Sequence, residues 1–255
     1  MTANRQKVAL VTGGAKRIGR TIALALARQG WDIAVHYGQS GNDAAEVVRA
    51  IESIGQRAVA LQCDLADEAA VRELLPRAAA VLGTVTCVVN NASRFDYDDA
   101  AGFTYARLDA HMHANLAAPV LLARALYDAT PAGAQAVAIN LLDQKLYNLN
   151  PDFLSYTLSK AGLQTATTVL AQALAPKVRV VGVAPGISLV SGEQTEEGFA
   201  KAHQATPLGK SSTPDDIAAA VCFVAGAPAM TGTTLLVDGG QHLIPLQRDV
   251  MFIAK

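Results

Sequence analysis

Asp143, Tyr156 and Lys160 are the residues of this chain whose types and spacing best suit acid–base chemistry. On a helix, Tyr156 and Lys160 share one face, so the ammonium can stand beside the phenol. A nearby cation favours phenolate and makes tyrosine a usable proton donor or acceptor near neutral pH. Asp143 lies in Asn140-Leu-Leu-Asp-Gln-Lys145, just past an apolar run, Ala134 to Asn140, that predicts a buried strand. A carboxyl group there adds a second proton-handling group and an acceptor for a substrate N–H. The combination points to proton-coupled reduction of a polar nitrogen heterocycle more than of a plain ketone. A plainer role for Asp143 is to cap the turn before Asn150-Pro151 or to pair with Lys145.

The elements that must position these groups follow from the hydrophobic pattern. Strands are predicted at Lys7–Val11, Asp32–Tyr37, Arg57–Cys63, Thr86–Val89, Ala134–Leu142, Val178–Val183 and Thr234–Val237. Helices are predicted at Ile18–Gln29, 43–54, Glu68–Val81, Leu108–Ala129, Phe153–Leu174 and Pro214–Ala225. Short apolar strands alternating with helices predict an α/β fold with a doubly wound parallel sheet. No linker or repeat cuts the chain, so residues 1–255 read as a single domain. In such sheets ligands bind beyond the carboxyl ends of the strands. There the chain places Gly13 to Gly19, His36 to Ser40, Asp64, Asn90 to Phe95, Asp143, and Pro185 to Ser188. The connections 93–107 and 187–212 are long and read as irregular segments that fold over a ligand, the second serving as a substrate loop.

Thr12-Gly-Gly-Ala-Lys-Arg-Ile-Gly19 sits between a strand and a helix, the context of a dinucleotide fingerprint. Lys16, Arg17 and Arg20 crowd the positive end of that helix, where cations are disfavoured unless an anion binds. An NAD site places an acid at the end of the second strand to hold a ribose hydroxyl. Here that end reads Val35-His-Tyr-Gly-Gln-Ser40, and Arg17, His36 and Ser40 can instead donate to a 2′-phosphate. The expected cofactor is NADPH/NADP+. Asp64 either bonds an adenine amine or caps the following helix.

With 51% apolar residues and a formal net charge of −1, bulk electrostatics predict neither nucleic-acid nor anionic-membrane binding. Apolar runs stop well short of the ~18 residues that span a bilayer, and Met1 to Lys7 carry no signal-peptide core. Cys63, Cys87 and Cys222 are widely separated in apolar contexts, which fits buried free thiols, a cytoplasmic setting and no thiolate metal site. His111 and His113 read as helix-face residues rather than metal ligands. Ser191 to Glu197 reads as a solvated part of the substrate loop. The apolar tail from His242 to Ile253 packs against a neighbouring subunit, or over its own or a partner's active site.

Thr12-Gly13…Gly19, Asp64-Leu65, Asn90-Asn91-Ala92, Asn115, Tyr156-x-x-x-Lys160, Pro185-Gly186 and Val237-Asp238-Gly239-Gly240, in this order, resemble the short-chain dehydrogenase/reductase family over nearly the whole chain. The resemblance implies a Rossmann-like sheet of seven strands, and a homo-oligomer, often a tetramer. It implies a cofactor site of Gly13, Arg17, Ile18, Gly19, His36, Tyr37, Ser40, Asp64, Leu65, Asn91, Ala92, Ser93, Tyr156, Lys160, Pro185, Gly186, Ile187 and Ser188. Tyr156 would be the acid/base, Lys160 would lower its pKa, and Asn115 would anchor a water relay to Lys160. Departures from the general pattern are Arg17 for Gly, Ser93 for Gly and Asp143 for Ser. With Phe95, these look like the pteridine reductase and dihydromonapterin reductase branch. That branch implies a substrate site of Arg17, Ser93, Phe95, Asp143 and Tyr156, with Phe95 stacking on the pterin. Taken alone, Phe95 reads better as a core plug. The expected reaction is NADPH-dependent reduction of a dihydropterin, with Tyr156 delivering the proton and Asp143 replenishing it. A reductase of a 3-oxoacyl thioester or another ketone, and a non-catalytic NADPH-binding sensor, are the alternatives.

Overall fold

Runs rich in valine, isoleucine and alanine become seven parallel strands, buried by helices on both faces of the sheet as such all-apolar runs require. The computed structural model describes residues 7–190 and 195–253. The strands are β1 (Lys7–Val11), β2 (Trp31–Tyr37), β3 (Ala58–Gln62), β4 (Cys87–Asn90), β5 (Ala136–Leu141), β6 (Val178–Pro185) and β7 (Thr234–Val237). Their order across the sheet is β3-β2-β1-β4-β5-β6-β7, a doubly wound Rossmann-like arrangement. The helices are α1 (Arg17–Arg28), α2 (Gly41–Ser53), α3 (Glu68–Leu82), α4 (Tyr105–Met112), α5 (Ala118–Ala129), α6 (Leu154–Leu174), α7 (Glu196–Gln204), α8 (Pro214–Gly226) and α9 (Val250–Ile253).

Strand side chains alternate between two cores. Ala9 and Val11 face α1, α2 and α8, whereas Val8 and Leu10 face α3 and α5. Where β1 and β2 diverge from the far strands, at β1–β4, the strand order reverses and opens the crevice in which such folds bind ligands. The register Val11↔Val89 and Asn90↔Asn140 sets the turns after β1, β4 and β5 side by side.

Two departures from the sequence expectation bear on the site. The long helix expected from Leu108 runs from Tyr105 and contains a π-helical turn, His113–Ala117, around Asn115. The 187–212 connection is not wholly irregular, because α7 lies inside it with Thr195 capping Gly198. The Ser191 to Glu197 segment lies partly outside the described residues, as do Met1 to Gln6. Among the described residues no helix is long and apolar enough to cross a membrane.

The first turn of α6, which carries Tyr156, is capped from far away in sequence. The buried Asp98 carboxylate accepts from Ser155 N (2.9 Å) and from the Ser155 hydroxyl, and Asp98 O accepts from Leu154 N (3.2 Å). This joins the loop after β4 to the helix that carries Tyr156. Asp98→Ala should therefore lower unfolding free energy by roughly 1.5–3 kcal/mol in a urea titration, the worth of charge-assisted bonds left unmade. An unchanged midpoint would show that the cap is dispensable.

Candidate active site

A cavity of about 450 Å³ opens at the carboxyl edge of the sheet. Asp143, Tyr156 and Lys160 line it together with Arg17, Ile18, Asn91, Ser93, Phe95 and Pro185 to Ser188. Tyr156 Oη donates to Asp143 Oδ2 at 2.7 Å. Asp143 Oδ1 accepts from Lys145 N at 2.8 Å and starts a 3₁₀ turn, Gln144–Tyr147. One oxygen thus faces the phenol and the other caps the turn. Lys145 does not pair with it; its ammonium binds Asp249. Lys160 Nζ donates to Leu141 O at 2.7 Å, fixing the ammonium to the end of β5.

Burial governs the protonation of this cluster. It raises the Asp143 carboxyl, against the opposing bonds from Lys145 N and Tyr156. Burial, then the charge of Asp143 and the hydrogen bond to it, raises Tyr156 well above the usual phenol range. Burial also pulls Lys160 down to about 8, opposed by Asp143. The expectation that a neighbouring cation would favour phenolate is corrected here. Lys160 is turned to a carbonyl and a carboxylate stands beside the phenol, so Tyr156 is held as a neutral proton donor.

Asn115, freed by the π turn, ties the wall together. Its Oδ1 accepts from Arg94 N (2.7 Å) and Ser93 Oγ (3.3 Å), while Nδ2 donates to Arg94 O (2.9 Å) and Ser159 Oγ (3.0 Å). Phe95 is 40% exposed, so it is not a core plug. Its ring stacks on Phe153 (4.3 Å between centroids) and meets the Tyr156 ring edge-on (4.7 Å).

The glycine-rich turn has the shape a pyrophosphate needs. Gly13 adopts φ +61°, and a Cβ at Gly19 would collide with the Gly13 carbonyl oxygen. Asn91 Nδ2 donates to Thr12 O (2.8 Å) and Gly13 O (3.2 Å), and Asn91 N and Ala92 N both donate to Thr12 Oγ1 (3.0 Å), stapling the β1 turn to the β4 turn. Arg17 has φ +52°, a left-handed conformation costly for any residue with a Cβ. This explains why glycine suits the position. Arg17 Nη2 donates to Val190 O at 3.0 Å, on the cavity side, rather than towards the end of β2.

His36 is the residue the sequence reading misassigned. It is buried, with Nδ1 accepting from Gly13 N (3.0 Å) and Nε2 donating to Cys63 O (3.0 Å). Burial lowers its pKa, and both ring nitrogens are engaged, so it shapes the turn as a neutral imidazole and has no donor left for a 2′-phosphate. The groups that do sit at that end are Ser40, whose hydroxyl makes no cap bond at the start of α2, and Lys16, paired with Asp43 at 3.0 Å. Tyr37 packs against the core beside them. Asp64 Oδ1 accepts from Ala66 N, while Asp67 caps α3 and Leu65 packs into the second core; the cap role expected of Asp64 belongs to Asp67. Gly186 N donates to Val237 O, and Ile187 N to Gln241 Oε1, which holds the Pro185 to Ser188 wall. The His111 ring is consumed by Asp96 N and Arg107 O. The sequence reading missed Lys145 and Gln241 as cavity residues, while Asp249, Val250 and Met251 place the tail over its own chain's cavity, one of the positions expected for it.

Residues 13–242 match the family model described as Enoyl-(Acyl carrier protein) reductase. A curated relative, an uncharacterised oxidoreductase of Methylorubrum extorquens, is 33% identical over 92% of this chain and 97% of its own. The chain belongs to the short-chain dehydrogenase/reductase family. It is also similar to FolM alternative dihydrofolate reductase 1 from Brucella canis, solved in complex with NADP, at 37% identity and TM-score 0.91, covering 98% of each chain. A short-chain dehydrogenase from Burkholderia cenocepacia, also in complex with NADP, is 33% identical with TM-score 0.86, covering 92% of this chain and 97% of that one. L-2,3-butanediol dehydrogenase of Corynebacterium glutamicum is 32% identical over 92% of this chain and 98% of its own. The family thus spans different substrates on one fold.

Asp143 raises both Tyr156 and Lys160. Its removal should lower both, so the alkaline limb of kcat/KM, where a proton donor and an ammonium are lost, should move to lower pH in Asp143→Ser. A limb that stays in place or moves up would contradict this electrostatic assignment.

Proposed function

We propose that the chain is an NADPH-dependent reductase that converts a dihydropterin of the dihydrobiopterin, dihydromonapterin or dihydrofolate type to its tetrahydro form. The observation that carries the reading is the buried 2.7 Å bond from Tyr156 to Asp143, beside the half-exposed Phe95 ring, which meets the Tyr156 ring edge-on. A flat heterocycle needs an aromatic platform and a proton at a ring nitrogen, and these groups offer both. The similarity to FolM alternative dihydrofolate reductase 1 supports the same reading.

The residues present fit the cofactor. Gly13 and Gly19 leave room for close backbone approach, and α1 offers its amino-terminal N–H groups to phosphate. Arg17, Ile18, Asn91, Ala92 and Ser93 would hold its middle, and Lys16 and Ser40 its 2′-phosphate. Tyr156, Lys160 and Pro185 to Ser188 would hold its nicotinamide end. When bound, NADPH supplies a hydride. Tyr156 gives its proton to the ring nitrogen. Lys160 stabilises the phenolate left behind, and Asp143, whose raised carboxyl takes up a proton from solvent, passes that proton back to it. Phe95, Ser93 and Arg17 orient the ring, with Asn115 holding the Ser93–Arg94 wall in place. The proposal includes a homo-oligomer of tetramer size and a cytoplasmic setting. Leu158 and Val169, 46% and 54% exposed on α6, are consistent with a subunit contact.

Steady-state assays with dihydrobiopterin, dihydromonapterin, dihydrofolate and an acetoacetyl thioester, each with NADPH and NADH, test the reading. A dihydropterin with NADPH should give the highest kcat/KM, and Tyr156→Phe should cut kcat about a hundredfold or more while NADPH still binds. Preference for the thioester would establish the ketone reductase alternative, and near wild-type turnover in Tyr156→Phe would remove the assigned proton donor.

A further inference from the structure

The tail beyond β7 closes over the active site of its own chain. Asn148 Nδ2 donates to Ile244 O, and Leu246 N donates to Asn148 Oδ1 at 3.3 Å. Arg248 grips both oxygens of the buried Asp152 carboxylate (2.8 Å each), and Asp249 N donates to Asp152 Oδ2 at 2.7 Å. Phe252 packs against Phe153 and Tyr97. These contacts already fasten the segment.

Inside that latch lies a second charge pair with no fastening left to do. Lys145 Nζ stands 3.0 Å from Asp249 Oδ2, with side chains only 4% and 15% exposed. Both residues line the cavity that holds Asp143 and Tyr156. An apolar pair of similar volume would hold the tail at less desolvation cost, so a buried ion pair here is poor evidence of a purely stabilising role. Among the described residues the Lys145 ammonium makes one hydrogen bond and lies 5.3 Å from the centre of the Phe153 ring. Asp249 Oδ1 accepts from Met251 N at 3.1 Å, and Oδ2 accepts from Lys145. A strong donor and a strong acceptor side by side match a hydroxyl, which is both at once, and match two neighbouring hydroxyls better still.

We propose that Lys145 and Asp249 form a substrate subsite that takes a neutral hydroxylated substituent on the ring reduced at Tyr156, and so set which substrate is used. The subsite rests on the pterin reading above and adds to it a specificity pair, one member of which the C-terminal segment supplies. A substrate lacking the hydroxyls covers this buried pair without bonding to its remaining donors and acceptors, which a site built for hydrogen bonding discriminates against.

The test compares two dihydropterins with the same ring, one bearing a polyhydroxyalkyl chain and one a methyl group, at saturating NADPH. The wild-type protein should favour the hydroxylated compound by about tenfold or more in kcat/KM, with the gap in KM. Lys145→Met and Asp249→Asn, on separate segments, should each raise KM for the hydroxylated compound by about tenfold and leave that for the methyl compound in place. Arg248→Met, which loosens the tail from outside the cavity, should affect both compounds in common and preserve their ratio. Equal losses for both compounds in the Lys145 and Asp249 variants, or no preference in the wild type, would overturn the subsite and leave pterin reduction standing. Reduction of neither compound by the wild type would overturn the pterin reading and the subsite with it. If neither variant binds NADPH, the wild-type preference alone decides.

Discussion

At the carboxyl edge of the sheet, proton handling rests on the hydrogen bond from Tyr156 Oη to Asp143 Oδ2. It places a carboxylate against a phenol where burial already disfavours charge on either. A lone phenol beside an ammonium would drift towards phenolate. With Asp143 present, the proton stays on the tyrosine until a better acceptor enters. The rest of the site maintains that geometry. β5 delivers Asp143 and the Leu141 carbonyl that anchors Lys160, and Asp98 fixes the first turn of α6. The π turn at Asn115 bonds the Phe95 loop to that same helix.

Two strained backbones lie near the site, one lining the cavity and one behind Phe95. Arg17 and Phe153 adopt positive φ without being glycine, at +52° and +56°. Each is held by contacts that face the ligand side: Arg17 by the Val190 carbonyl, Phe153 by the Phe95 and Phe252 rings.

Much of this was legible in the sequence because it is local. The apolar run ending at Asn140 could only be a buried strand, and a Tyr–Lys pair one helical turn apart had to share a face. Asp143 therefore had to emerge beside them. What was not legible depends on partners that only the fold brings together. His36 has the chemistry of a phosphate donor, but Gly13 N and the Cys63 carbonyl, from two other strands' ends, consume its ring. Asp98 is one acid in a polar loop until the fold sets it under Ser155. α7, short and polar, resembles a loop because its helix rests on the Thr195 cap more than on an apolar stripe. The tail could have covered any of several surfaces, and only the pairing of Arg248 with Asp152 shows that it covers its own active site.

The family fixes a reductase fold and leaves the substrate open, and the proposed pterin reading turns on Asp143. The most direct measurement is the ratio of kcat/KM for a dihydropterin to that for a simple ketone, determined in the wild type and in Asp143→Ser. If Asp143 both replenishes the proton that Tyr156 gives to a ring nitrogen and accepts a heterocycle N–H that a simple ketone lacks, the ratio should fall by about a hundredfold in the variant, mainly through loss of pterin turnover. A ratio unchanged by the substitution would contradict the account.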